Sequence, residues 1–377
     1  MAEAIPTTMR AAVLRDIDKG LEIEEIRTPH PKAGEVLVKV SGCGLCHSDL
    51  HVISGAIAFP LPAVLGHEVA GEIVEVGPGN EHTGLQTGQR VAGGFLMPCG
   101  QCEACSRGRD DLCDPFFSLN RLEGKLYDGT TRLASLDGEP IAMYSMGGLA
   151  QYCVIPATSV AVVPDDIDPI KGAILGCAAM TAYGAVRRGA DLRYGESVAV
   201  VATGGVGSNI IQIASAFGAK QVIAIDVADD KLAVAKGLGA TDVVNSSTES
   251  VREKVLELTG GVGVDVAFEA LGRPQTWASA LDCLRDGGRM VPIGLGAGVQ
   301  TAEVEINRTV RRSMSIIGSY GAHTRQDLPE VVRLAAAGVI RYQDIVTREL
   351  PLDKVAEGYA ALRKGEITGR AVINMSL

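Results

Sequence analysis

Aromatic residues are scarce in this sequence: 6 Phe, 8 Tyr and 1 Trp among 377 residues. The interior must therefore be aliphatic. No uninterrupted apolar run approaches the roughly 18 residues that suggest a membrane-spanning helix, so no membrane partner is expected. The chain has no Lys/Arg block, and its net charge is −10. Electrostatic binding to nucleic acid or to an anionic membrane is thereby disfavoured. The opening MAEAIPTTMR has no apolar signal core, and the expected compartment is the cytoplasm. What the chain does have is glycine, 46 residues, as suits an α/β protein with many tight turns. It is also long enough for two domains, each with its own core.

The first 150 residues read as short strands between Gly and Pro punctuation, among them EVLVKVSG, AGEIVEVGPG and AQYCVIP. From about residue 195 the rhythm changes. ESVAVVA is a continuous apolar run fit for a strand buried on both faces, and SNIIQIASAFGA follows with helical spacing. QVIAIDV, DVVN, VDVAFEALG and RMVPIGL read as further strands, separated by the helical KLAVAKGLGA, SVREKVLELTG and TWASALDCLRDGG. Alternating β and α units of this size predict a doubly wound parallel sheet. We place a β-rich domain at 1–178 and the dinucleotide-type sheet at 179–318.

Nine cysteines are present, and four fall in CGQCEACSRGRDDLC as Cys99, Cys102, Cys105 and Cys113. In a reducing compartment such clustering favours a metal over disulfides. Four soft thiolates at this spacing suit a closed, tetrahedral structural zinc site; an iron–sulfur cluster is the rival. Cys43, Cys46, Cys153, Cys177 and Cys283 are left over. GHEVAG supplies His67 and Glu68, but Gly71 stands where the helical zinc-protease pattern has its second histidine. A catalytic zinc takes three protein ligands and keeps one position open. Cys46, His67 and Cys177 are candidates for such a set, although spacing alone does not bring them together.

TGGVG occurs at 203–207 and again at 259–263. Only the first follows a predicted buried strand and opens a helix, as a pyrophosphate site requires; the second reads as a turn. In the first, Gly204, Gly205, Val206 and Gly207 form the phosphate-binding turn. Ala202 takes the place of its first glycine, which is tolerable if that residue keeps a negative φ. Asp226, about 20 residues on, suits the ribose hydroxyls and repels a 2′-phosphate, so NAD is expected over NADP.

CHSDLH, GHEVAG, the four-cysteine lobe, GCAAMTAYGA and TGGVG, in this order, resemble the zinc-containing medium-chain alcohol dehydrogenases along nearly the whole chain. The segment 114–146 resembles the animal- and plant-type members. The resemblance implies a GroES-like catalytic domain, with the tail 319–377 returning to it, plus a Rossmann coenzyme domain. It implies Cys46, His67 and Cys177 as catalytic zinc ligands, with Glu68 beside the metal and Asp49 orienting the zinc-bound histidine. Cys43 matches no ligand position and is read as core, as are Cys153 and Cys283. Ser48 and His51 match a proton relay to solvent: a hydroxyl accepts and donates, and histidine titrates near neutrality. His47 stands where many members carry a pyrophosphate-binding arginine, so cofactor binding is expected to loosen above neutral pH. Lys231 and Arg370 match positions near the cofactor ribose and pyrophosphate, and Thr181 one near the nicotinamide.

By position, Ile57, Phe95, Phe116 and Leu295 line the substrate pocket with Ser48. That mostly apolar lining suits hydrophobic alcohols, aldehydes or ketones. The expected activity is reversible NAD(H)-linked oxidation of a primary or secondary alcohol by a homodimer or homotetramer carrying two zinc ions per chain. Two rivals stand beside it. One is a zinc-independent enone or quinone reductase of the same superfamily; the other is a nucleotide-binding protein without catalysis.

Overall fold

The computed structural model of the chain describes residues 4–296 and 298–377. Residues up to Cys177, with His323–Ala336 and Tyr342–Leu377, pack as one compact unit. Ala178–Ala322 and Ala337–Arg341 pack as a second.

The first unit is built on two sheets. In the larger, the strand Glu35–Gly44 pairs antiparallel with Val69–Val76, with Tyr152–Pro156 and with the C-terminal strand Arg370–Asn374. Its pairing partners cover it on both edges, and Val36, Leu37 and Val38 are wholly buried. The register sets Cys43 opposite both Val69 and Ile373. Residues just beyond these pairings, Gly44 to Cys46 and His67 to Glu68, are thus delivered side by side. A smaller sheet is ordered Gly20–Arg27, Thr8–Asp16, Ala63–Val64, Pro140–Met143, Leu133–Ala134.

The second unit holds a six-stranded sheet, parallel throughout. Its order is Asp242–Asn245, Gln221–Asp226, Ser197–Val201, Val264–Glu269, Leu284–Pro292, Ser315–Ile316. Read in chain order this is 3-2-1-4-5-6, the dinucleotide-binding arrangement, whose ligand crevice lies at the carboxyl ends where the order reverses. The core is aliphatic, as the shortage of aromatics requires: Val201, Ile223, Ile225, Val244, Val264 and Met290 are buried together. Each such side chain contributes about 1.5–3 kcal/mol by leaving water.

One element differs from its sequence reading. The helix predicted over TWASALDCLRDGG stops at Asp282, and Leu284–Pro292 is strand. Gly287 and Gly288 are poor helix formers. Leu284 instead pairs with Val264, and Arg289 with Val266, the four intervening residues being taken up by a register shift. The second TGGVG is a turn between the helix Val251–Leu258 and the strand Val264–Glu269.

Candidate active site

Cys46 precedes the short helix His47–Ile53 in extended conformation, φ −116°. Gly44 N–H donates to the Glu68 carbonyl (2.8 Å) and Leu45 N–H to that of Ala371 (2.9 Å), which ties this corner to the neighbouring strands. Cys177 directly follows the 3-10 turn Lys171–Gly176. Together these segments bring donor atoms of Cys46, His67, Glu68 and Cys177 within 4.8 Å of one another, all in buried residues.

The electrostatics of the cluster call for a cation. Both oxygens of the fully buried Glu68 lack a hydrogen-bond partner; its charge is met by Arg370, whose Nη2 lies 3.0 Å from Oε1. Burial lifts the Glu68 carboxyl to about 7, although Arg370 opposes the rise. A proton shared with Cys177 holds the Cys46 thiol well below its ordinary range, against the effect of burial, with Arg370 and His67 assisting. Burial pulls His67 downward, but the charges of Asp49 and Cys46 outweigh it and raise the imidazole to about 10. Two sulfurs, one imidazole and an adjacent carboxylate form a donor set that fits zinc, the Cys2His trio leaving room for one further ligand.

Asp49 is wholly buried. Its Oδ1 accepts the Gly66 N–H at 3.1 Å and lies 3.0 Å from His67 Nδ1. In the neutral ring that a metal would bind, this contact keeps the proton on Nδ1 and leaves Nε2 as the ligand atom. Ser48 Oγ lies 3.7 Å from Cys46 Sγ. Ser48 and His51, both partly exposed, are three residues apart on the same helix and share a face. His47 is exposed at the start of that helix.

Phe95 stands edge-on to His67 with centroids 6.0 Å apart. Tyr144, which sequence reasoning missed, does the same at 5.9 Å and is itself met by Phe59 at 5.1 Å. Nothing in the local sequence around Tyr144 or Phe59 signals this. Ile57 is partly exposed. Phe116 is wholly buried, edge-on against Phe117. Leu295 belongs to the second unit and is 55 % exposed.

The four-cysteine lobe gathers Cys99, Cys102, Cys105 and Cys113, again with sulfurs within 4.8 Å of one another. Cys102 Sγ lies 3.9 Å from Cys113 Sγ. Zinc–sulfur bonds of about 2.3 Å at tetrahedral angles imply sulfur separations of about 3.8 Å, so the spacing fits a single ion; a multi-iron cluster would hold its thiolates farther apart. Backbone N–H groups of Cys99 and Cys102 point at the sulfurs of Cys113 and Cys99, at 3.2 and 3.3 Å. Arg325 joins the lobe to the helix Thr324–Ala336, donating to the Cys105 carbonyl (2.6 Å) and the Asp110 carboxylate.

In the second unit the strand Ser197–Val201 ends at Ala202, and Gly205 opens the helix Gly205–Ala216. A Cβ on Gly207 would stand 2.0 Å from the Ala202 carbonyl oxygen, whereas one on Gly204 would meet nothing within 4 Å. Gly207 is thus the packing glycine, and open space lies over Gly204. Ala202 corrects an expectation: its φ is +73°, not negative. The chain must turn sharply here for Thr203 to reach Asp226 and for Gly207 to pack. Asp226 Oδ2 accepts Thr203 N–H and Oγ1–H (2.8 and 3.1 Å), while Oδ1 accepts Val227 N–H (2.8 Å). This carboxylate therefore anchors the turn. Lys231 lies partly buried on the helix Asp229–Gly237, and Thr181 is buried in the helix Ala178–Gly184. Arg370, in the first unit, donates to the Leu45 carbonyl at 3.2 Å besides pairing with Glu68.

Sequence reasoning also missed Glu269, fully buried at the carboxyl end of the strand Val264–Glu269. Its oxygens accept from the N–H groups of Leu271 and Gly272 and from Thr276 Oγ1, and so shape a loop beside the point where strand order reverses. A glutamate ending an apolar strand was the one available signal.

Residues 32–165 match the alcohol dehydrogenase GroES-like domain, and 205–337 match the zinc-binding dehydrogenase family. The S-(hydroxymethyl)glutathione dehydrogenase of Paracoccus denitrificans is 34 % identical over 367 residues, covering 95 % of this chain and 97 % of its own. This chain belongs to the zinc-containing medium-chain alcohol dehydrogenase family. An alcohol dehydrogenase of Geobacillus stearothermophilus, a second family member, is also 34 % identical, over 97 % of this chain and 99 % of its own. Among solved structures, the benzyl alcohol dehydrogenase of Acinetobacter calcoaceticus superposes with a TM-score of 0.90 at 29 % identity, covering 97 % of this chain and 99 % of its own. An alcohol dehydrogenase zinc-binding domain protein of Burkholderia ambifaria gives 0.91 at 32 %, covering 97 % and 98 %. The GroES-like and Rossmann-type architectures expected from sequence are those of the family. Among the described residues no helix is long and apolar enough to cross a membrane.

Proposed function

We propose that this family member is an NAD-dependent alcohol dehydrogenase with a catalytic zinc at Cys46, His67 and Cys177 and a structural zinc at Cys99, Cys102, Cys105 and Cys113. The observation that carries the reading is the buried convergence of two thiols, an imidazole and a carboxylate whose oxygens accept no hydrogen bond. Bound there, zinc would supply Lewis acidity that lowers the pKa of a hydroxyl, and a nicotinamide cofactor would supply the hydride acceptor. The chain's own residues do the rest. Asp49 holds His67 in one tautomer. Ser48, next to Cys46, accepts the proton of the substrate hydroxyl, and His51 on the same helix face hands it to solvent. Glu68 stays close by, its charge balanced by Arg370.

Phe95 and Tyr144 flank the imidazole, with Phe59 behind Tyr144, an aromatic surround that suits hydrophobic and benzylic alcohols better than polyols. The likeness to a benzyl alcohol dehydrogenase supports trying that class first. Asp226 beside Thr203, with no arginine following, favours NAD over NADP. His47 in the arginine position makes cofactor affinity fall above neutral pH; equal affinity at acid and alkaline pH would contradict that role. Exposed Val299, Ile306 and Val310, near the edge strand Ser315–Ile316 in sequence, support a homo-oligomer, dimer or tetramer. The test is a screen of alcohols with NAD, following absorbance of the reduced cofactor, alongside zinc quantitation. Cys46→Ser is expected to lose one zinc and all turnover while staying folded; full turnover in that variant defeats the reading.

A further inference from the structure

Tyr359 lies on the C-terminal helix Val355–Lys364, nearly 200 residues beyond the last ligand, and no role has been assigned to it. Its side chain is buried, 3 % exposed. The helix is pressed onto the segment that delivers Cys46: a Cβ on Gly358 would stand 2.5 Å from Leu45 Cδ1. It also packs against the helix His47–Ile53, which carries Asp49.

Burial pushes the Tyr359 hydroxyl well above its ordinary range, and the charges of Asp49, Cys43 and Cys46 add to the rise. Asp49 Oδ2 and Tyr359 Oη are both buried without a hydrogen-bond partner. Asp49 Oδ1 is already committed to His67 and Gly66, so Oδ2 is the oxygen free to take a donor. A buried carboxylate oxygen and a buried hydroxyl, each lacking a partner and carried on helices packed against each other, are costly to leave unpaired and are relieved by joining.

We propose that Tyr359 is a positioning residue of the zinc centre: its hydroxyl holds Asp49 through Oδ2, and Asp49 in turn sets the ring of His67. The proposal rests on the ligand assignment above. Partners one step behind a ligand typically change metal affinity or activity by roughly 10–100-fold, and Tyr359 stands two steps behind.

The experiment follows zinc release from the purified full chain into excess chromophoric chelator. The phase lost in Cys46→Ser identifies the centre. Tyr359→Phe keeps the ring and removes one oxygen; it is expected to release that zinc roughly three- to tenfold faster and to shift the pH profile of kcat. Asp49→Asn is expected to release it faster still, and Tyr359→Phe to add little in that background, since the hydroxyl acts through Asp49. Should the phenylalanine variant not fold, Tyr359→Met serves in its place. Release and pH profile equal to wild type, or effects that simply multiply with those of Asp49→Asn, overturn the role of Tyr359. If Cys46→Ser removes no zinc phase, it is the ligand assignment that has failed instead.

Discussion

Asp49 Oδ1 lies 3.0 Å from His67 Nδ1 and at the same time accepts the Gly66 N–H. One buried oxygen thus fixes the imidazole and the loop that delivers it. Asp49→Asn can keep both contacts through its amide oxygen but removes the charge behind the ring. Zinc affinity at the Cys46 centre is expected to fall roughly 10–100-fold, read by chelator competition, with the far-UV spectrum unchanged. Unaltered affinity would mean that His67 is held by its packing alone.

The four-cysteine lobe is expected to serve folding. Cys113→Ser should cost one zinc per chain by elemental analysis and lower the melting temperature, because a closed structural site contributes folding free energy directly. Zinc at the proposed centre of Cys46, His67 and Cys177 should stay. Since burial lifts the Cys105 thiol to about 11, zinc must displace its proton. Chelators should therefore strip this lobe faster as the pH falls; a pH-independent rate would argue against thiol ligation.

Ala202 holds φ +73°, a conformation costing a residue with a Cβ roughly 1–2 kcal/mol. Ala202→Gly removes that strain but gives the unfolded chain about 0.5–1 kcal/mol of extra freedom. The net expectation is a gain of up to about 1.5 kcal/mol, measurable by urea denaturation. By contrast, Gly207→Ala would drive a methyl into the Ala202 carbonyl and should destabilise the nucleotide unit. A destabilised Ala202→Gly would show that the turn does not carry this strain.

Asp265 accepts the Ser197 N–H (2.8 Å) and hydroxyl (2.7 Å) and pairs with Arg285. Burial works against ionisation, but the Ser197 hydrogen bonds and Arg285 prevail and hold its carboxyl below the usual range. A carboxylate whose folded pKa is depressed stabilises above its unfolded value, near 3.9, and that contribution is lost as pH falls through the folded value. Asp265→Asn should therefore lower stability at neutral pH and flatten the acid limb of a stability profile below about pH 4. An unchanged acid limb would refute the assignment.

Much of the second unit was legible in the chain because its signals are local. Short β-branched apolar runs such as ESVAVVA and QVIAIDV suit strands buried on both faces, and a TGGVG between strand and helix names the turn by its own neighbours. The four-cysteine lobe was legible for the same reason: its sulfurs lie within one short loop. The strand through Leu284 was not, because LRDGG owes its conformation to pairing with Val264 across the sheet rather than to its own preferences. Ala202 misled similarly, its positive φ being imposed by Thr203 reaching for Asp226.

At the candidate site the chain by itself determined which chemistry was available: thiols at 46 and 177, an imidazole at 67, carboxylates at 49 and 68. That much follows from side-chain identity, which no fold can change. Whether these groups meet was decided only by tertiary structure, since Cys46 and Cys177 are joined by strand register and loop packing rather than by spacing. The same holds for Tyr144 beside His67 and for Tyr359 behind Asp49. A contact between residues far apart in sequence depends on the whole sheet being in register, and so leaves no mark on either stretch of chain alone.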